Sequence, residues 1–243
     1  MRRPRIHVDL PLHAGQRVVL PEPTRERLLS VLRLRDGAPV VLFNGSGCDW
    51  SGLLRVARGS ASVELGAATV ADNESSLEVT LAQAIARGEK MDLILQKATE
   101  LGVSRIVPVV SERTEVRLDA ERGAKRIEHW RRVVISACEQ SGRSRLPTVE
   151  EPVDLAAFAE STARSGIRRF ALDPEGGTGF SELSRGQPLA LVVGPEGGFG
   201  ERDRIALAAA GFEGVRLGPR VLRTETAGLA ALAVLQALAG DFC

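Results

Sequence analysis

Three stretches in the second half of the chain combine glycine, proline and carboxylate residues in a way that suits ligand binding. They are Asp173-Pro174-Glu175-Gly176-Gly177, Gly194-Pro195-Glu196-Gly197-Gly198-Phe199-Gly200, and Gly218-Pro219-Arg220-Val221-Leu222-Arg223-Thr224-Glu225-Thr226-Ala227. Each follows an apolar run of strand length: Ile167–Leu172, Leu189–Val193 and Gly214–Leu217. Glycine lets a main chain approach a ligand closely or adopt positive φ. Free amides at the start of a following helix bind polar or anionic groups. The loops contain neither Gly-x-Gly-x-x-Gly nor Gly-Lys-Ser/Thr, so they are not a dinucleotide fingerprint or a Walker loop. Spacing alone points to a nucleotide-like ligand at a glycine-rich sheet edge.

Other chemistries find little support. His7, His13 and His129 are scattered, and Cys48, Cys138 and Cys243 are far apart, with no partner at metal-ligand spacing. No Ser/His/Asp set stands out, so hydrolase and metalloenzyme readings fall away and no metal is expected. The cysteines read as free thiols in a reducing compartment. No apolar run approaches the ~20 residues that span a bilayer. The opening MRRPRIHVDLPL lacks the apolar stretch and cleavage site of a signal peptide. A cytoplasmic protein without membrane association is expected. Net charge is +1, yet residues 1–70 carry +4 and the remainder −3. That asymmetry suggests that the first part meets something anionic.

Residues 1–70 read as β-rich, with runs Arg17–Leu20, Val40–Phe43, Leu53–Ala57 and Ala61–Leu65. Asp36-Gly37, Asn44-Gly45-Ser46-Gly47 and Arg58-Gly59-Ser60 separate them as turn formers. One helix is expected at Thr24–Leu34, capped by Thr24 and burying Leu28, Val31 and Leu32. A small barrel with one helix fits best, and Val70–Ser76 reads as a linker.

After the linker the hydrophobic period changes. Strands are expected at Leu77–Ala82, Arg105–Val110, Ile167–Leu172, Leu189–Val193 and Gly214–Leu217. Pro108 argues for an edge position or a bulge in the second of these. Helices are expected at Glu89–Leu101, Ala120–Ser141, Gly200–Ala210 and Thr224–Ala239. The first would bury Met91, Ile94, Leu95, Ala98 and Leu101, and the second Ile127, Trp130, Val134, Ile135 and Cys138. Alternation of strand and helix means an α/β protein with an open parallel sheet, over residues 77–243. Ligands in such sheets sit at the carboxyl ends of strands, where the three loops lie.

The string LVVGPEGGFGERD (191–203), followed by LGPRVLRTETAGLAAL (217–232), resembles the signature of the knotted SPOUT methyltransferases. Within that superfamily it is similar to the ribosomal RNA small subunit methyltransferase E family, which methylates uridine N3 in 16S ribosomal RNA. The likeness extends through KATELGVSRIVPV (97–109), SERTEV (111–116), HWRRVVISACEQSGRSRLP (129–147) and LLSVLRLRDGAPVVLFNGSG (28–47). Gly200 stands where a hydroxylated helix cap is common, and Cys138 where alanine is common.

The resemblance implies a carboxy-terminal α/β domain with a trefoil knot, preceded over residues 1–70 by a PUA-like β-barrel. It implies S-adenosylmethionine as cofactor, bound by Leu172, Val193, Gly194, Pro195, Glu196, Gly197, Gly198, Leu217, Gly218, Leu222, Arg223, Thr226 and Ala227. It implies a homodimer, for which Glu139–Arg143 is the candidate seam, and 16S RNA of the small ribosomal subunit as partner. Arg5, Arg33 and Arg35 are the first candidates for RNA contact, with Arg113 and Arg143 as further cations. The sulfonium already activates the methyl group, so the protein must align uracil N3 and help its proton leave. Arg223, Glu225 and Glu196 lie in suitable loops for that work. Two other readings stay open: a knotted methyltransferase acting on a ribose 2′-hydroxyl or another base, and a non-catalytic RNA-binding assembly factor.

Overall fold

The computed structural model describes residues 3–116, 120–180 and 183–242; Cys243 and the first two residues of the basic amino terminus lie outside them. The chain forms two compact units, Met1–Glu74 with Cys138–Leu146, and Ser75–Ala137 with Pro147–Cys243. The segment Cys138–Leu146 thus counts with the first unit, a return that reading along the chain does not reveal.

The first unit contains β1 (Arg5–His7), β2 (Arg17–Val19), α1 (Glu22–Glu26), β3 (Pro39–Phe43), β4 (Cys48–Ala57) and β5 (Ser60–Val70). They form one sheet in the order β1-β3-β4-β5-β2, with β1 parallel to β3 and the other pairs antiparallel. Arg58 and Gly59 alone join β4 to β5, and Gly59 takes φ 79°, the left-handed conformation that the second central residue of a type II turn requires. Ile6, Val18, Leu28, Val40, Leu42, Leu54 and Val63 make the core.

The expected helix Thr24–Leu34 is corrected. Regular α-helix stops at Glu26, and Arg27–Val31 winds wider, with Leu32 N–H donating five residues back to Arg27 O at 3.0 Å. Pro21 stands at the cap position, with no side-chain cap. Wider winding rotates later residues off the buried face. Leu28 is therefore fully buried while Val31 and Leu32 are exposed.

The second unit contains β6 (Val79–Ala84), α2 (Lys90–Glu100), β7 (Arg105–Val110), α3 (Ala120–Ser141, its last turn in the first unit), β8 (Thr148–Val149), β9 (Val153–Asp154), α4 (Leu155–Ala163), β10 (Arg168–Thr178), β11 (Leu189–Val193), α5 (Glu201–Ala209), β12 (Glu213–Arg216) and α6 (Thr224–Ala239). The seven strands are all parallel, in the order β12-β10-β11-β6-β7-β8, with β9 also on β7. Ala82, Val107, Ala190 and Val192 face α4 and α5 through Phe158 and Leu207. The opposite face meets α6, where Gly228 lies close to Leu81 and Val193.

Pro108 lies neither on an edge strand nor in a bulge. It pairs in register with Gln83, and on the other side of β7 the neighbouring strand is broken between β8 and β9. Its missing N–H costs no ladder bond there. α4 escaped the sequence reading, although Asp154 caps it by accepting from Ala156 and Ala157 N–H at 2.9 and 3.3 Å. In α2 and α3 the expected stripes are buried except for Leu101 and Ile135, which are half-buried.

Candidate active site

The loops after β11 and β12, together with an excursion inside β10, surround a cavity of about 520 Å³. β10 continues past Leu172, where the apolar run predicts its end. Its pairing with β12 breaks after Leu172, skips Asp173–Gly176, and resumes at Gly177. Gly176 is required there, because a Cβ would stand 2.5 Å from the carbonyl carbon of Gly214.

Of the residues expected to bind cofactor, Leu172, Val193, Gly194, Pro195, Glu196, Gly197 and Gly198 line the cavity from β10 and β11. Leu217, Leu222, Arg223 and Ala227 line it from the third loop and α6. Gly218 and Thr226 are not among the lining residues; Thr226 is exposed and donates its N–H to Arg223 O at 2.9 Å.

The loops are tied to the sheet by polar side chains that the sequence reading missed. Thr224 Oγ1 donates to Gly194 O at 2.7 Å and accepts from Gln83 Nε2 at 3.0 Å, both residues being buried. This chain joins β6, the β11 loop and the start of α6. A glutamine inside the apolar strand was the available signal, since a buried amide must find partners. Arg113 Nη1 donates to Gly197 O at 2.9 Å, so this candidate RNA contact sits on the cavity rim. At α5, Asp203 accepts from Gly200 N–H at 2.9 Å and Glu112 N–H at 3.1 Å, while Glu112 accepts from Arg202 N–H at 3.1 Å. Glu112 thereby does the capping that a hydroxylated residue at position 200 would otherwise supply.

Lys90 is the second feature the sequence reading passed over. Its Nζ lies 3.0 Å from Glu196 Oε1 and 3.6 Å from Glu225 Oε2, at the cavity edge. The signal available was rarity: Lys90 is one of three lysines in a chain otherwise supplied with arginine. Burial acts to raise the Glu196 carboxyl, but the hydrogen bond from Lys90 and backbone donors outweigh it and hold the group below the usual range. The same hydrogen bond raises Lys90. Both groups stay charged near neutrality.

Of the other candidate RNA contacts, Arg33 and Arg35 are exposed in the first unit. Arg5 and Arg143 are not. The Arg5 side chain is 7% exposed, paired with Asp49 and bonded to Arg143 O and Ser144 Oγ. Arg143 is 9% exposed at its side chain and donates to Glu74 at 2.7 and 3.0 Å. Glu139 accepts from Arg27 and from His7 N–H. Each of these groups is engaged within the first unit, because opposite charges distant in sequence are brought beside it.

A parallel α/β unit with a cavity among glycine-rich loops at its strand ends is the build of enzymes that bind nucleotide-like cofactors. Residues 73–236 match the family model described as an RNA methyltransferase domain. The chain is 30% identical over 242 residues to a ribosomal RNA small subunit methyltransferase E from Buchnera aphidicola, covering 99% of this chain and 98% of that one. It is 39% identical to a crystal structure of the same-named enzyme from Neisseria gonorrhoeae bound to S-adenosyl methionine, with a TM-score of 0.91 and full coverage of both chains. A protein from Legionella pneumophila, solved in complex with the same cofactor, is 36% identical, with a TM-score of 0.93 and full coverage of both. The chain belongs to the ribosomal RNA small subunit methyltransferase E family.

Proposed function

We propose that this protein transfers the methyl group of S-adenosylmethionine to N3 of one uridine in 16S RNA of the small ribosomal subunit, in the cytoplasm. The observation that carries the reading is the cavity among the three loops, whose volume of about 520 Å³ suits a small-molecule cofactor. Gly198 takes φ 68° with open space where a side chain would stand, leaving main chain free to meet a ligand. Relatives of matching length and fold hold this cofactor. Bound there, it supplies an already activated methyl group.

The chain's own work is alignment and proton management. Leu172, Leu217 and Leu222 offer apolar surface to the adenosine part, and backbone from Val193 to Gly198 offers polar groups. Arg223, exposed on the rim, is the cation for the developing uracil anion. Glu196, held as a carboxylate by Lys90, is a weak base and serves to position that lysine. We assign proton acceptance to Glu225, whose buried Oε2 meets Lys90 Nζ only at 3.6 Å, a looser pairing than the 3.0 Å contact that holds Glu196.

Residues 1–70, within the first unit, serve as a PUA-like barrel that grips RNA through Arg33 and Arg35; their +4 charge supports this. The second unit carries the trefoil knot and pairs as a homodimer. Val234 and Leu238, exposed and four residues apart on one side of α6, with exposed Phe242 just beyond its end, favour that helix as the seam over Glu139–Arg143.

N3 lies on the Watson–Crick edge, so the target uridine must be unpaired or drawn out of its stack. The test is methylation of small-subunit RNA with labelled cofactor, followed by chromatography of the nucleosides. Label in 3-methyluridine is the expected result, with activity rising above neutral pH as the N3 proton leaves more readily. Label in 5-methyluridine or a 2′-O-methyl nucleoside overturns the substrate assignment.

A further inference from the structure

We infer that a second, smaller cleft in the methyltransferase unit holds one base of the RNA next to the target uridine. This inference rests on the RNA-methylation reading above. The cleft has a volume of about 200 Å³ and lies between the start of α2 and one side of α3. That is room for roughly seven waters, which suits a single nucleobase and is too small for two.

Its place follows from chain order. Lys90 lines the cofactor cavity, whereas Glu89 and Met91 line the cleft. Consecutive Cα atoms are ~3.8 Å apart, so the cleft begins one residue away from the cavity, within reach of an adjacent nucleotide. β6, which leads into this segment, pairs in register with β11, which leads into the cofactor loop. Both loops therefore open at the same end of the sheet.

The lining has the chemistry of a base site. Met91 and Trp130 contribute buried apolar surface. Asp92 Oδ2 stands 2.7 Å from His129 Nε2. In the tautomer that donates Nε2–H to Asp92, Nδ1 is left as an acceptor for a base N–H. Arg126 also lines the cleft and is half-buried there. Its planar guanidinium can stack on a base or meet the phosphate beside it. The carboxylates of Glu89 and Asp92 repel phosphate from the interior, so it is the base that enters.

The test uses the full chain, labelled cofactor, and small-subunit particles from cells lacking the enzyme. Arg126→Ala and His129→Ala should each lower kcat/KM for the particle by about tenfold, while S-adenosylmethionine affinity in calorimetry stays unchanged. Trp50→Phe leaves Trp130 as the only indole. Its fluorescence should change when RNA is added and stay constant with cofactor alone. If wild type methylates and both alanine variants match it, with Trp130 silent, the cleft is not a base site. If wild-type protein methylates no RNA, the parent reading fails instead, and the two failures are distinct.

Discussion

Lys90 Nζ stands 3.0 Å from Glu196 Oε1, so an ammonium at the start of α2 closes on the loop after β11. The same ammonium lies 3.6 Å from Glu225 in the first turn of α6. One cation thus joins two of the chain segments that form the cofactor cavity and offsets the repulsion between their carboxylates.

Lys90→Met should weaken S-adenosylmethionine binding by roughly two- to fivefold, the scale of an exposed ion pair. The pH dependence carries more information. Glu196 is depressed in the folded protein, so its contribution is present above the ordinary carboxylate range and is lost as pH falls through the lowered value. Without Lys90 only backbone donors oppose the effect of burial, so the group is held less low and the acid-side loss of affinity should begin at higher pH. Calorimetry between roughly pH 4 and 7 checks this; superimposable profiles for the two proteins would show that the pair does not hold the loop.

Gly197→Val tests the cavity by space alone. A Cβ there meets Arg113 carbons at 3.5 and 3.6 Å, ordinary contact, so the fold should tolerate the change, with Tm within about 2 °C of wild type. The added methyls crowd the cavity, and cofactor affinity should fall by at least about tenfold. Unchanged affinity would move the cofactor site elsewhere.

Gly200→Ser reverses an ordinary rule. Serine is a better helix cap than most residues by ~1 kcal/mol, yet here its Cβ would overlap the Glu112 carboxylate. Thermal unfolding should therefore occur several degrees lower, on the order of 1–2 kcal/mol. In a Glu112→Ala background the same change should be neutral or stabilising, and a double-mutant cycle reads the difference.

Glu74→Ala removes a carboxylate that accepts from Arg143 Nε and Nη2 and from the Ser144 and Arg145 amides. Denaturant unfolding should show a loss of about 3 kcal/mol, because the largely buried Arg143 guanidinium loses that counter-charge. Glu74→Gln, which keeps acceptor capacity for the amides, should recover part of it. A loss below about 0.5 kcal/mol would mean that the network contributes little.

Local pattern determined much of this protein. The continuous apolar run Leu189–Val193, the strand Arg105–Val110 and the helical composition and spacing of Ala120–Ser141 and Thr224–Ala239 mark these elements within their observed bounds, since run length and helical period are properties of neighbouring residues. The glycine-rich loops were legible for the same reason: backbone freedom belongs to the residue itself. Tertiary structure alone decided the rest. Arg5 and Arg143 read as surface cations in the sequence, until folding brings Asp49 from 44 residues away and Glu74 from 69. Gln83, Thr224 and Gly194 become one hydrogen-bonded chain only when parallel strands and α6 meet. Lys90 gains its role from carboxylates more than a hundred residues further on. Electrostatic pairing and polar satisfaction depend on distance in space, and one-dimensional spacing carries no record of which distant residues will arrive.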